Sequence, residues 1–204
     1  MALPATASSD LDWLQSIEKR HLPLKNSKAR DPGVEVDTIL IHFCSDVVAH
    51  PDNPYDFKRI FNGFAVGRVS AHYLIDRSGK IFEMVELDRA AWHAGKGKVP
   101  GKPERENRLN EFSVGIELMG MGNLSEMLRF MPEDRFRKVK PLDIGYTKFQ
   151  YESLRKLISA LRQKYPAIKL DNQHIYGHDQ YAPGRKNDPG VLFDWSEIGV
   201  TKNW

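Results

Sequence analysis

A chain of 204 residues, 41% of them hydrophobic and 28% charged, is long enough to bury one core unaided and too apolar to remain disordered. Its formal net charge of +3, from 30 basic and 27 acidic residues, is too small to argue for a nucleic-acid partner. The single cysteine, Cys44, excludes a disulfide framework or a multi-cysteine metal site, and no apolar run approaches the roughly 18–20 residues of a membrane span.

Residues 1–9 read as a frayed start. Asp10 is placed to cap a short helix with Leu11, Leu14 and Ile17 on one face, and residues 24–35 are charged and turn-prone. Residues 1–35 are therefore expected to form a partly flexible N-terminal arm ahead of a domain at 36–204. Residues 36–43 make the first strong strand, β-branched and leucine-rich as a central strand should be. His42 stands at its carboxyl end, where open α/β sheets place ligands. Taken alone, His42 is more simply a core histidine with satisfied hydrogen bonds. Cys44 is expected to point to a different neighbourhood, as a small buried residue.

Residues 55–64 suggest a short amphipathic helix stopped by Gly63 or Gly67. Apolar runs at 71–75 and 81–85 flank Asp76-Arg-Ser-Gly-Lys80 as a β-hairpin, with His72 at its start. Trp92 and His93 precede a loop rich in glycine and lysine; they are either packing plus a surface histidine or the lining of a pocket. Ser113-Val-Gly-Ile-Glu-Leu118 is a second buried strand, yet it carries Glu117, and an ionised carboxylate there is costly unless paired or functional. Residues 119–145 mix methionines with basic residues and read as a long, partly helical excursion, either a solvated insertion or the wall or lid of a cleft.

Thr147-Lys-Phe-Gln150 is a capping box, and from it runs a helix with Tyr151, Leu154, Leu157, Ile158, Leu161 and Tyr165 on one face, ended by Pro166. Residues 173–178 are expected as a strand with His174, Tyr176 and His178 on one side, and residues 194–198 as a last helical turn. Strands alternating with helices predict a single α/β domain.

The loop that follows, Gly177-His-Asp-Gln-Tyr-Ala-Pro-Gly-Arg-Lys-Asn-Asp-Pro-Gly190, is too rich in turn formers to build core and projects its side chains from a rim. His178 and Asp188 in that loop, with His42 from the first strand, are an imidazole and carboxylate set suited to zinc with an open position for water. Glu117 is placed to take a proton from that water, and Lys186 to face an oxyanion. Together they are equipment for metal-assisted amide hydrolysis.

Ile39-Leu-Ile-His42, Val69-Ser-Ala-His-Tyr-Leu-Ile-Asp-Arg-Ser-Gly79, Arg89-Ala-Ala-Trp-His-Ala-Gly95, Phe112-Ser-Val-Gly-Ile-Glu-Leu118 and the 177–190 loop occur in one order. In that order the chain resembles the zinc N-acetylmuramoyl-L-alanine amidases of the type-2 amidase and peptidoglycan-recognition-protein group, across about residues 36–198. The resemblance implies a central mixed β-sheet flanked by helices, with Zn2+ in an open groove. It implies cleavage of the amide between the lactyl group of N-acetylmuramic acid and L-alanine, with peptidoglycan or muropeptide as partner and no nucleic acid. By position it makes His42, His178 and Asp188 the zinc ligands and Glu117 and Lys186 the catalytic pair. Trp92, His93, Arg185 and His72 become substrate contacts, His72 alternatively a donor behind the ligands. The excursion at 119–145 exceeds the compact connection of the group.

A binding module that does not cut, and a zinc hydrolase of another amide, are the competing readings; a binder typically lacks a ligand that this chain retains. A monomer is expected. The opening residues show no signal-peptide pattern. A wall or secreted location, its signal already removed, is favoured over the cytoplasm.

Overall fold

Short β-branched runs and one long amphipathic helix dictate a layered arrangement, and the computed structural model describes it over residues 8–201. The expected frayed start lies, for residues 1–7, outside the described residues. The strands are β1 (Glu18–Lys19), β2 (Ser27–Ala29), β3 (Thr38–Cys44), β4 (Tyr73–Ile75), β5 (Ile81–Glu83), β6 (Arg89–Ala91), β7 (Ser113–Met119) and β8 (Ile175–Gly177). The helices are α1 (Ser8–Gln15), α2 (Phe57–Gly67), α3 (Leu109–Phe112), α4 (Leu124–Met127), α5 (Glu133–Phe136), α6 (Lys148–Lys164) and α7 (His178–Tyr181).

A mixed sheet runs in the order β1-β5-β4-β7-β3-β8, and β2 pairs with β6 in a small second sheet. Only β4 and β5 are antiparallel in the larger sheet, as the hairpin motif requires. The adjacent strands β7, β3 and β8 are parallel, so their carboxyl ends open on one edge. Open α/β sheets bind ligands at that edge.

The two faces of the sheet divide the labour. Ile39, Ile41, Val114, Ile116 and Leu118 pack against Leu154, Leu157, Ile158 and Leu161 of α6, all deeply buried. Burying such side chains stabilises by about 1.5–3 kcal/mol each. The capping box at the start of α6 forms as the sequence predicts: Thr147 Oγ1 accepts from Gln150 N, and Gln150 Oε1 accepts from Thr147 N. The Gln150 amide is also a brace, donating to the carbonyls of Ile75 and Met119. On the opposite face, strand alternation brings His42 and Cys44 of β3 alongside Ser113, Gly115 and Glu117 of β7.

The segment expected as an arm is stitched into the domain. β1 extends the large sheet beside β5, and β2 pairs with β6. Asp10 does not cap α1, which already begins at Ser8; its carboxylate accepts from Ser159 and Gln163 of α6. Helix α2 runs through Gly63 to Gly67 and closes on Arg68, whose φ of 51° is left-handed. The excursion after β7 carries α4, α5 and a short 3-10 turn around its own small core of Val47, Met121, Met127, Met131, Phe136 and Val139. It is a packed wall, not a solvated insertion.

Candidate metal and catalytic site

His42 arrives on β3, directly opposite Glu117 on β7. His178 arrives just past β8; it is the first residue of α7 and not the last residue of a strand, and His174 turns away to Asp171. Gly177 is required at this junction, because a Cβ there would lie 2.2 Å from Asp179 Oδ1 and 2.6 Å from Pro189 Cδ. Asp188 returns on the following loop, where its carbonyl accepts from Asp179 N.

The three side chains converge. His42 Nδ1 and His178 Nδ1 lie 2.8 and 3.1 Å from Asp188 Oδ2, all three residues are buried, and their ligand atoms fall within 4.8 Å of one another. Two imidazoles and a carboxylate with one shared focus fit a divalent metal ion.

The remaining ring nitrogens fix the tautomers. The Ala94 carbonyl can only accept, so His178 Nε2, 2.8 Å away, carries the proton and leaves Nδ1 free as a ligand. His42 is fixed through two further residues, His93 and Ser113. The Leu109 carbonyl accepts from Ser113 Oγ at 2.6 Å, so the hydroxyl accepts in turn from His93 Nε2 at 3.2 Å. His93 Nδ1 is then the acceptor that faces His42 Nε2 at 3.0 Å. His42 therefore donates through Nε2 and presents a bare Nδ1 toward Asp188. Gly115 makes room for this relay: a Cβ there would sit 2.5 Å from the His93 ring. A metal ligand whose outer nitrogen is held in this way keeps its orientation and basicity.

Electrostatics follow the same plan. Burial, then repulsion from His178, bring His42 down to about 4, so its ring is neutral at pH 7. Burial alone would raise Asp188, but the neighbouring His178 and His42 rings outweigh that and hold it far below the usual carboxylate range. Burial, then the charge of Asp188, push Glu117 up to about 8, with Lys186 and the Cys44 thiol pulling the other way. Glu117 Oε2 is buried with no hydrogen-bond partner among the described residues. That orphaned oxygen is where a water held at the metal focus would be met.

Around these groups lies a cavity of about 380 Å³, lined by His42, Glu117, His178, Asp188 and Lys186. Trp92, Val48, Met127 and Phe130 also line it. The excursion thus supplies part of its apolar side.

Several expectations are corrected. Cys44 does not point elsewhere: it shares the His42 face and lines the cavity together with Glu117. His72 cannot touch substrate. It is 0% exposed, accepts from Gly115 N through Nδ1, and donates through Nε2 to the Arg89 carbonyl. It stands behind His93, ring against ring at 5.8 Å. His93 does line the cavity, but both its nitrogens are committed to His42 and Ser113. Arg185 also lines the cavity, with its guanidinium turned to the carbonyls of Ala94 and Lys96. Trp92 lines it too, its backbone fixed by paired bonds with Ser70. Two working residues lay outside the sequence reading. Asn110 Oδ1 accepts from the amides of His93 and Ala94 and so shapes that loop. Glu126 had a signal, the capping-box spacing Asn123-x-x-Glu126.

The comparisons with known proteins agree with this geometry. The family described as N-acetylmuramoyl-L-alanine amidase matches residues 32–191. The chain is 33% identical over 197 residues to the 1,6-anhydro-N-acetylmuramyl-L-alanine amidase AmpD of Salmonella typhimurium, covering 91% of this chain and 90% of that protein. Against the AmpD of Citrobacter freundii it is 40% identical over 138 residues, 68% of this chain and 59% of that one. A crystal structure of a selenomethionine AmpD derivative superposes with a TM-score of 0.64 at 31% identity, covering 92% of this chain and 95% of that chain. The Escherichia coli amidase AmiD, solved with anhydro-N-acetylmuramic acid-L-Ala-D-γ-Glu-L-Lys, gives 0.60 at 25% identity over 83% of this chain and 59% of that chain. With the motif order, the sheet and the ligand set all in place, the chain belongs to the N-acetylmuramoyl-L-alanine amidase family.

Proposed function

We propose that the chain is a zinc amidase that hydrolyses the bond between the lactyl carbonyl of N-acetylmuramic acid and the nitrogen of L-alanine, with soluble 1,6-anhydro-muropeptides as its substrate. The observation that carries the reading is the convergence of His42, His178 and Asp188 on one focus beside Glu117 and Lys186 in one cavity. A binding module has no use for the last two. The curated relatives named above act on the 1,6-anhydro compound, which favours the soluble substrate over intact wall.

When bound by His42, His178 and Asp188, zinc supplies Lewis acidity, polarising the scissile carbonyl and acidifying a water. Glu117 in its ionised form takes the proton of the attacking water as the oxygen adds to the carbonyl carbon. Standing in the same cavity as the ligands, it can hold that proton and then deliver it to the departing L-alanine nitrogen. Lys186 lines the same cavity and stabilises the negative oxygen of the tetrahedral intermediate. Collapse breaks the C–N bond and leaves a muramyl carboxylate and a peptide with a free amino terminus. Every group comes from one chain, so a monomer is the proposed working unit.

The test is mass spectrometry of digests of anhydro-muropeptides beside intact sacculi, with and without chelator. Release of L-alanine-terminated peptide, lost on chelation and restored by zinc, is expected from the anhydro substrate. Cleavage of sacculi alone, or cleavage indifferent to chelation, contradicts the proposal.

A further inference from the structure

The loop that carries Lys186 and Asp188 is not part of a strand ladder, and four of the hydrogen bonds that hold it come from the excursion between β7 and α6. Glu126, on α4, stands at the centre of them. Its Oε1 accepts from Val191 N at 2.9 Å while its Oε2 accepts from Asn123 N at 3.0 Å, so one carboxylate closes the helix cap and grips the loop. The Glu126 carbonyl accepts from the side-chain amide of Asn187, which lies between the two working residues. Arg129 donates to the Arg185 carbonyl, and Tyr146 to that of Pro189. The fit is close on both sides: a Cβ at Gly190 would lie 2.6 Å from Glu126 Oε1, and one at Gly122 2.4 Å from Oε2. Gly190 also has a φ of +79°, so a side chain is disfavoured there twice over.

We propose that Glu126 is a positioning residue, which straps the 185–191 loop to α4 and thereby sets where Lys186 stands relative to Glu117. The inference rests on the amidase reading given above. Charge-assisted bonds from a carboxylate to a backbone amide are the strong kind, and placement errors of about 1 Å can cost up to ~100-fold in rate. The next residue, Met127, lines the cavity, so one turn of helix fixes both the loop and part of the apolar wall.

The experiment pairs amide hydrogen exchange at Val191 with steady-state kinetics on an anhydro-muropeptide. Glu126→Ala is expected to speed Val191 exchange by at least about tenfold and lower kcat by roughly ten- to a hundredfold, with KM within about twofold of the parent. Glu126→Gln keeps an oxygen for Val191 but not one for Asn123 N, and is expected to recover part of the exchange protection and of kcat together. Should Glu126→Ala fail to fold, Gly190→Ala gives the same paired loss with the carboxylate intact. Unchanged Val191 exchange, unchanged kcat, or a loss of one without the other across these variants overturns the strap. A parent protein inactive on the peptide would sink the amidase reading, while the exchange data would still decide whether Glu126 holds the loop.

Discussion

The two walls of the cavity are built by opposite means. His42, Cys44 and Glu117 stand on β3 and β7, where a continuous ladder from Thr38↔Ser113 to Cys44↔Met119 sets every backbone position. Lys186 and Asp188 stand on a loop held by single bonds: Asp179 N to the Asp188 carbonyl, Lys186 N to that of Ala182, and the grip of α4. The ladder is repetitive, and its far face is welded into the main core. The loop is bespoke, and each bond in it can fail alone. A site with one wall of each kind owes its rigidity to the sheet and its adjustability to the loop.

The largest effects should come from the groups where the walls meet. Asp188→Ala is expected to abolish both metal binding and turnover, read by metal content and kcat. Glu117→Gln should keep its metal and lose about 10²–10⁴ in kcat, the usual worth of a positioned acid–base group. Lys186→Ala should also keep metal and lose roughly 10²–10³ in kcat. Equal rates for parent and Lys186→Ala would remove that residue from the chemistry.

The strand wall is tested next, through its supports. Leu154→Ala, on the far face, should cost about 2–5 kcal/mol of unfolding free energy in denaturant titration, with zinc affinity nearly unchanged. His93→Leu should do the converse, with a small stability change and a loss of about 10–100-fold in metal affinity by chelator competition. His93→Gln, which keeps an acceptor for His42 Nε2, should restore part of it.

The smallest effect is a pH dependence. Glu117 has an ordinary value of 4.5 and is pushed to about 8 in the metal-free fold. Its carboxyl is therefore favoured in the protonated form, and the fold loses stability as pH rises from about 4.5 to about 8. In metal-stripped protein, Glu117→Gln should raise Tm by several degrees at pH 8 and by much less at pH 5. A gain of equal size at both values would place the carboxylate in a more polar setting than its burial implies.

Legibility in the sequence divides along the same line. β3, β7 and α6 were readable because a β-branched run, an alternating strand and a capping box each state their structure locally. His42 and Glu117 were readable with them. The facing of Cys44 was readable too, since residues two apart on a strand share a side, and the expectation of a different neighbourhood overlooked that period. His178 was harder: the switch from β8 to α7 turns on the packing of Asp179 and Pro189 against Gly177, which no pattern announces. The methionine-rich excursion has no sustained period because it wraps a small core of its own. His72 looked like a site residue because its motif is adjacent to the site, yet its ring is spent on Gly115 and Arg89.

Arg30 lies just outside the stretch that matches the family at 32–191, and its guanidinium donates to the carbonyls of Leu87, Asn110, Glu111 and Ser113. A fragment trimmed to the family boundary would withdraw one cation from four main-chain oxygens at once, of which the Leu87 carbonyl keeps the Tyr165 hydroxyl as a donor. Ser113 is among them, the residue at the foot of the His42 relay, so a cut made for convenience at the beginning of the chain would be felt at its metal.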